Sequence, residues 1–176
     1  MENTLPTPNT LPSDLAVVKE LVYDKCGFHF SNFKQNDESA DYGACSFELN
    51  GKKIQHRISK ITPTKTGQFV TIWKRNDKWI TEPFNISDNF DFVIITARND
   101  ENFGQFIFPK SVLVDKGIVS QNEKGGKRGI RVYAPWDKPI NKQAIKTQAW
   151  QLPYFVEIKE NTLTDLEKIN RILSNW

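Results

Sequence analysis

The corner in ISKITPTKTGQFVTIWKR, residues 58–75, carries a dense set of side chains that could bind an anion. Its cations and hydroxyls are Lys60, Thr62, Thr64, Lys65 and Thr66, followed beyond Gly67 by Trp73, Lys74 and Arg75. Ammonium, guanidinium and hydroxyl groups donate hydrogen bonds to phosphate oxygens but do not read base sequence. The pattern predicts a phosphate-binding surface at a strand end, and a solvated hairpin corner that binds nothing is the alternative.

Aromatic rings stand next to cations at other places in the sequence: Lys78-Trp79, Arg131-Val132-Tyr133 and Trp136-Asp137-Lys138. Nucleic-acid surfaces combine the two, because cations bind the backbone and aromatic faces stack on exposed bases. Core packing explains the rings equally well, since neighbouring side chains of a strand point to opposite faces. Trp136, in a loop between two prolines, is the ring that core packing explains least. We therefore add Arg131 and Trp136 to the candidate binding residues.

A glycine-rich basic run, KGGKRG at residues 124–129, could also line a phosphate and adds Lys127 and Arg128 to the candidates. No strand leads through it into a helix, so a P-loop is not expected. The two histidines, His29 and His56, are not within metal-chelating spacing of a cysteine. We expect each of them to be a packing or surface residue, and we expect no metal site and no cofactor.

The net charge of +3 is unevenly distributed along the chain. Residues 51–78 carry eight basic and one acidic residues, residues 104–150 carry nine and three, and the segments around them are acidic. If the fold brings the two basic segments onto one face, that face attracts a polyanion.

The composition, 38% hydrophobic and 26% charged, predicts a soluble globular domain. No apolar run approaches the roughly 20 residues of a membrane span, and the N-terminal residues do not read as a secretory signal. We expect a cytoplasmic protein without membrane insertion, in which Cys26 and Cys45 are free thiols.

A mostly antiparallel sheet flanked by helices must position these residues. Asn50-Gly51 supplies the positive φ values of a type I′ turn, so residues 46–49 and 52–61 form a predicted hairpin. Further strands are predicted at residues 68–74, 90–97, 104–109 and 129–135, and helices at 110–117, 141–151 and 164–174.

The N-terminal part of the chain is predicted to be less regular. Residues 1–12 read as a flexible arm, after which a helix begins with Ser13 as its cap and stops at Gly27. Residues 31–43 read as a polar loop. Residues 13–176 together form one α+β domain.

Segments at residues 25–54, 60–77, 102–113, 128–137 and 141–151, among them KITPTKTGQFVTIWKRND and RGIRVYAPWD, resemble the MepB family. These are small bacterial proteins named for a gene cluster that also encodes a multidrug export pump and its repressor. The resemblance covers nearly the whole chain beyond the arm. It implies an accessory role in that cluster but no settled activity, so it contributes no catalytic residues.

A weaker similarity relates the chain to the restriction-endonuclease-like fold, in which an acidic residue on one strand faces an E-x-K motif on the next. Asp41 or Glu48 would take the acidic position and Lys60 the lysine, as weak catalytic candidates. Ile58 stands where the motif needs glutamate, so a Mg²⁺ site would lack a ligand. The similarity implies a catalytically reduced site with nucleic-acid binding left.

The preferred hypothesis is a nucleic-acid-binding protein with a basic groove, no sequence specificity and little or no catalysis. The second is an enzyme acting on a small anionic or phosphate-bearing ligand, which a deep pocket lined by Lys60, Glu48 and Arg131 would favour. The third is an accessory protein that binds the export pump or its repressor through aromatic edges. Salt-dependent binding to generic nucleic acid would distinguish the first from the third.

Overall fold

The computed structural model describes residues 11–36, 39–159 and 164–175. The predicted flexible arm lies outside this part of the chain except for its last two residues, of which Leu11 packs against the core. Within the described ranges, no helix is both long and apolar enough to cross a membrane.

The described residues form eleven strands: β1 Phe30–Gln35, β2 Cys45–Leu49, β3 Lys52–Ile58, β4 Lys60–Ile61, β5 Gln68–Thr71, β6 Trp73–Arg75, β7 Thr81–Pro83, β8 Phe92–Arg98, β9 Phe103–Pro109, β10 Gly129–Val132 and β11 Phe155–Glu157. Six of them make the central sheet, in the order β1-β2-β3-β8-β9-β11. Only the β3–β8 pair in it is parallel. The predicted α+β class with a mostly antiparallel sheet is confirmed.

Helices pack on the two faces of this sheet: α1 Ser13–Val18, α2 Lys110–Asp115, α3 Lys142–Gln151 and α4 Thr164–Ser174. The chain continues from α1 as a π-helix, Lys19–Tyr23, and makes 3₁₀ turns at Ala40–Tyr42 and Leu152–Tyr154. The prediction of Ser13 as the cap is wrong. Pro12 holds that position, its carbonyl accepting from the Ala16 N–H at 2.9 Å, so Ser13 is the first helical residue.

Two apolar clusters lie on opposite faces of the central sheet because successive residues of β8 point to opposite sides. Phe92 and Ile94 belong to the cluster that α1 and α4 cover. Val93 and Ile95 belong to the second cluster, which contains Val70 of β5, Ile130 and Val132 of β10 and Leu113 of α2. β8 is therefore buried on both faces, which agrees with its continuous apolar sequence.

The predicted hairpin at Asn50-Gly51 is confirmed. The two residues have φ values of 50° and 78°, and β2 pairs with β3 from Cys45 opposite His56 to Leu49 opposite Lys52. The longer run at residues 52–61 nevertheless divides at Ser59, because β4 leaves the central sheet and pairs with β5.

One loop prediction and one further strand prediction need correction. Residues 31–43 are not one polar loop, because β1 pairs with β2 and its Phe30 and Phe33 pack against the first cluster. The run at residues 68–74 is two strands: β5 pairs with β10 and β4, whereas β6 pairs with β7. They separate at Ile72, whose N–H donates to the Arg128 carbonyl at 2.8 Å.

A chain of buried polar side chains crosses β3, β8 and β9. Tyr23 Oη donates to Gln105 Oε1 at 2.8 Å, and Gln105 Nε2 donates to Thr96 Oγ1 at 3.0 Å. His56 Nε2 lies 2.8 Å from the same hydroxyl, and its Nδ1 lies 3.2 Å from the Gly43 carbonyl oxygen. Because a carbonyl only accepts, Nδ1 carries the proton and Nε2 accepts from Thr96, which makes His56 a neutral packing residue.

Burial sets the acidity of these groups. Desolvation lowers the pKa of His56 to about 4. The hydrogen bond to the Gly43 carbonyl raises the pKa and the positive charge of Arg57 lowers it, but both effects are smaller than that of burial. Burial raises the pKa of the Tyr23 hydroxyl above its usual value and that of the Cys45 thiol to about 12. Cys26 and Cys45 are free thiols, as predicted.

Candidate functional site

The corner at residues 62–67 is held against β10 by Arg131. Arg131 Nη2 donates to Thr62 Oγ1 at 2.7 Å, and its Nη1 lies 3.3 Å from the carbonyl oxygens of Thr66 and Gly67. In the ladder, Arg131 stands opposite Phe69 of β5. The second basic segment therefore meets the first one at the corner that carries Thr62, Thr64, Lys65 and Thr66.

Gly67 makes this contact possible. Its φ is +81°, which glycine adopts without the strain of a side chain. A Cβ added there would lie 2.7 Å from the Tyr133 ring and 2.9 Å from the Val132 carbonyl oxygen. The corner thus packs directly on β10 and the residue that follows it.

Helix α3 is fixed beside β10 by two glutamines. Gln151, which is fully buried, donates to the Arg131 carbonyl at 3.0 Å and accepts from the Tyr133 N–H at 2.9 Å. Gln148 donates to the carbonyls of Ala134 and Asp137 at 2.9 and 2.8 Å. Asn141 caps the helix by accepting from the Ala144 N–H.

A cleft of about 560 Å³ lies between these elements. Its cations are Lys65, Lys116, Lys127 and Arg131, and its rings are Phe69, Tyr133 and Trp150. Among the described residues that line it, none is a carboxylate. The electrostatic potential of the cleft is therefore positive, which attracts an anion.

Two smaller depressions adjoin the cleft, and Lys65 lines all three. One extends toward Trp136, Asp137 and Lys138, and the other toward Pro139 and Ile140. Burial raises the pKa of the Asp137 carboxyl, which also accepts from the Ala134 N–H at 2.9 Å. We call the cleft and its two adjoining depressions, together with the corner, β10 and α3 that border them, the Lys65 surface.

Trp136 packs against the core in spite of its position in a loop. Its ring meets Phe155 edge to face at a centroid distance of 5.5 Å, and it is half-buried against the second cluster. Trp136 is therefore not the ring that core packing explains least, because Trp79 is far more exposed, although Trp136 also lines a depression of the Lys65 surface.

The glycine-rich run places its two candidates differently. Lys127 lines the cleft, and its N–H donates to the Ile118 carbonyl at 2.9 Å. Arg128 turns the other way, with Nη2 donating to the Thr81 carbonyl of β7 at 3.2 Å. The run therefore connects the cleft to the β6–β7 hairpin.

Trp73, Lys74 and Arg75 lie in β6 and do not line the cleft. Lys74 Nζ makes ion pairs with Asp88 at 2.5 Å and Glu82 at 3.3 Å. Burial lowers its pKa, but the bonds and charges of the two carboxylates outweigh this and raise it. Lys74 is thus engaged by carboxylates, and Arg75 lies over the Trp73 ring at 5.3 Å.

The weak catalytic candidates have three different surroundings. Glu48 of β2 accepts at 2.6 Å from Asn32 Nδ2 of β1, the edge strand of the central sheet. Asp41 lines a depression with Trp73 and Arg75, and the Lys60 ammonium lies 4.5 Å from the centroid of the Tyr42 ring. Among the described residues, Lys60 and Glu48 do not line the cleft that contains Arg131, so the deep pocket of these three residues that would favour a small-ligand enzyme is not seen there.

Ile58, at the position where glutamate was expected, packs over Gly43. A Cβ added to Gly43 would lie 2.5 Å from Ile58 Cδ1. In the described part of the chain, no group of three or more His, Cys, Asp and Glu side chains could hold a metal ion.

Lys116 and Trp150 line the cleft although no sequence pattern predicted them there. Lys116 follows α2, and its ammonium lies 5.5 Å from the centroid of the Trp150 ring in α3. No local motif marks either residue, because they are brought together only when α2 and α3 pack on the same side of β9.

The profile of the MepB-like family matches residues 36–157. The chain belongs to this family. A crystal structure of MepB superposes on the MepB-like chain with a TM-score of 0.74 at 31% identity, covering 85% of this chain and 99% of that one. The resemblance seen in the sequence is thus confirmed.

A bacterial homing endonuclease superposes with a TM-score of only 0.45 at 17% identity, over 78% of this chain and 85% of that one. This likeness is too distant to carry a conclusion, and the restriction-endonuclease-like architecture stays a prediction. No curated protein was found to match the sequence significantly.

Proposed function

We propose that the Lys65 surface of this MepB-like protein binds the phosphate backbone of nucleic acid, without sequence preference. The observation that carries the proposal is the contact of Arg131 with the corner, which joins the two basic segments of the chain. Lysines on flexible stems suit phosphates spaced along a backbone, and they provide no base-specific pattern.

The balance of charge supports this function. The cleft and its two adjoining depressions bring together Lys65, Lys116, Lys127, Arg131 and Lys138, with Asp137 as the carboxylate among their described lining residues. An extended cationic surface fits a polyanion better than a single small anion.

The test is fluorescence anisotropy with labelled duplex DNA and labelled single strands of unrelated sequences, titrated at several salt concentrations. Within each class, duplex or single-stranded, the parent should bind the unrelated sequences with similar affinity, and log K should fall linearly as log salt rises. Lys65→Ala should lower the slope by about 0.7 to 0.9, the values for one phosphate contact with single and double strands.

Lys25 provides the matched control, because it is an exposed lysine in the turn after the π-helix, beside the first cluster. Lys25→Ala should leave affinity and slope unchanged. Failure of the parent to bind any of these nucleic acids would overturn the proposal.

The cleft also supports a second candidate, the binding of a small anionic or phosphate-bearing ligand. Its volume of about 560 Å³ lies within the roughly 300–1,000 Å³ of small-molecule pockets. If that ligand is a nucleotide, nucleoside monophosphates should raise the thermal midpoint at millimolar concentration, and Lys127→Ala should abolish the shift. No shift from any mononucleotide or inorganic phosphate would contradict this candidate.

We further propose that Mg²⁺-dependent cleavage is weak or absent. Ile58 packs over Gly43, and the Glu48 carboxylate is engaged by Asn32. Incubation with supercoiled plasmid and RNA in Mg²⁺ should leave both intact. Robust cleavage that disappears in Glu48→Ala would show the opposite.

A further inference from the structure

The turn between β6 and β7 exposes a large aromatic side chain. Trp79 is 72% exposed and its neighbour Ile80 is 58% exposed, whereas Trp73, Trp136 and Trp150 are half-buried. Core packing therefore does not account for a tryptophan at this position.

The backbone holds Trp79 in an unusual conformation. Its φ is +60°, a left-handed value that bulky residues rarely adopt and that glycine or asparagine adopts at less cost. Asn76 builds the turn: its Oδ1 accepts from the N–H groups of Lys78 and Ile80, at 2.9 and 3.1 Å. The Asn76 carbonyl also accepts from the Trp79 N–H at 2.9 Å.

One cation lies near this ring and a second precedes it in the sequence. Arg75 Nη1 donates to the Trp79 carbonyl at 3.0 Å, and its guanidinium carbon lies 5.9 Å from the centroid of the indole. Lys78 is exposed beside it, and Asp77 is the carboxylate of residues 75–80. An exposed ring flanked by two cations suits a ligand that is both aromatic and anionic, which describes a nucleotide.

The turn is also connected to the Lys65 surface. Arg128 bonds to Thr81 of β7, and the preceding residue, Lys127, lines the cleft. The two consecutive residues Lys127 and Arg128 therefore link the cleft to the β6–β7 hairpin. A nucleic-acid strand bound in the cleft would pass along this link to reach the turn.

We propose that Trp79 stacks on an unpaired base of the nucleic acid whose backbone the Lys65 surface binds. The proposal rests on the proposed function and adds a preference for single-stranded over fully paired nucleic acid. Stacking requires an accessible base face, which a duplex offers only at its ends or at distorted sites.

The decisive variant is Trp79→Gly. Glycine removes the ring and tolerates the positive φ, so the thermal midpoint should be no lower than that of the parent. Trp79→Phe is the matched variant, since phenylalanine also stacks on bases. Both are compared with the parent by anisotropy on oligo(dT), oligo(U) and a paired duplex of equal length.

We expect Trp79→Gly to lose about 5- to 150-fold in affinity for the single strands, with the salt slope unchanged and duplex binding little affected. Trp79→Phe should retain most of the affinity. A loss confined to oligo(dT) or to oligo(U) supports stacking and identifies the preferred nucleic acid. The decrease in tryptophan fluorescence on binding of single strands should be smaller in both variants than in the parent.

Unchanged single-strand affinity in Trp79→Gly would overturn the inference, and the tip would then be free for a protein partner. An equal loss on duplex and single strands would overturn it as well, because it would not report base stacking. If the parent binds no nucleic acid, the proposed function itself fails, which is a separate result.

Discussion

Polar side chains buried in the central sheet are bonded to one another, whereas the lysines of the Lys65 surface have no carboxylate partner among the described residues. The chain from Tyr23 through Gln105 and Thr96 to His56 is fully buried, and each member bonds to the next. At the Lys65 surface, no carboxylate of the described residues lies within ion-pair distance of Lys65, Lys116 or Lys127.

This difference separates polar groups that specify the fold from polar groups that remain available to a ligand. A buried group without its partner costs free energy, so the interior chain constrains the packing of three strands. Exposed cations contribute little to stability, and we propose that these cations bind an anionic ligand. Changes in the two regions should therefore have separate effects on binding and on stability.

The largest expected effect is on binding. The triple variant Lys65→Ala, Lys116→Ala, Lys127→Ala should lower the salt slope by about 2 to 3. At about 50 mM salt it should lose affinity by roughly 10²- to 10³-fold, while its unfolding free energy changes by about 0.5 kcal/mol or less. Anisotropy and denaturant titration measure the two quantities, and a variant that binds as the parent does would end the distinction between the regions.

The next effect is on stability in acid. The folded pKa of His56, about 4, lies below the unfolded value of 6.5, so the unfolded state binds a proton that the folded state does not. The stability this contributes is present above pH 6.5 and is lost as the pH falls to 4, by about 3 kcal/mol in total.

Denaturant unfolding at a series of pH values measures this loss. His56→Gln should remove that part of the pH dependence even though it lowers stability at neutral pH. His29→Gln serves as the control, because the His29 side chain is exposed. An unchanged pH dependence in His56→Gln would show that other groups carry it.

A smaller effect is expected at the other end of the buried chain. Tyr23→Phe deletes the hydroxyl that donates to Gln105 Oε1, leaving a buried acceptor without that donor. The unfolding free energy should fall by about 1 to 3 kcal/mol with nucleic-acid affinity unchanged. Loss of affinity in this variant would mean that the two regions are coupled.

Lys74→Ala should have the smallest effect. Lys74 is engaged by Asp88 and Glu82 and does not line the cleft, so the salt slope should stay that of the parent. Stability should change by about 1 kcal/mol or less, as for partly exposed ion pairs. A drop in slope equal to that of Lys65→Ala would return Lys74 to the binding surface.

Much of the fold could be predicted from local sequence. Asn50-Gly51 identified its hairpin, and the apolar run at residues 90–97 identified β8 as a strand, because turn chemistry and burial are both local signals. β1 was missed because Asn32, at φ 54°, interrupts its alternation. The division at Ile72 was missed because a sequence pattern does not say which strand a residue pairs with.

The candidate site could be predicted only in part. The corner and Arg131 were identified by residue type, but the engagement of Lys74 depends on Asp88, which is distant in sequence. Lys116 and Trp150 enter the cleft only through packing of α2 and α3. Trp79 was visible as a ring next to Lys78, but its exposure follows from the turn that Asn76 builds.

We propose that nucleic acid lies on the Lys65 surface, and amide chemical shifts of the isotope-labelled protein titrated with an oligonucleotide test this claim. The largest shifts should fall at residues 62–67, 127–133 and 141–151, and should diminish together as salt is added. Amides of α1 and α4, which cover the opposite face of the central sheet, should not move. Saturable shifts confined to α1 and α4, or no shifts at the corner, would contradict the claim.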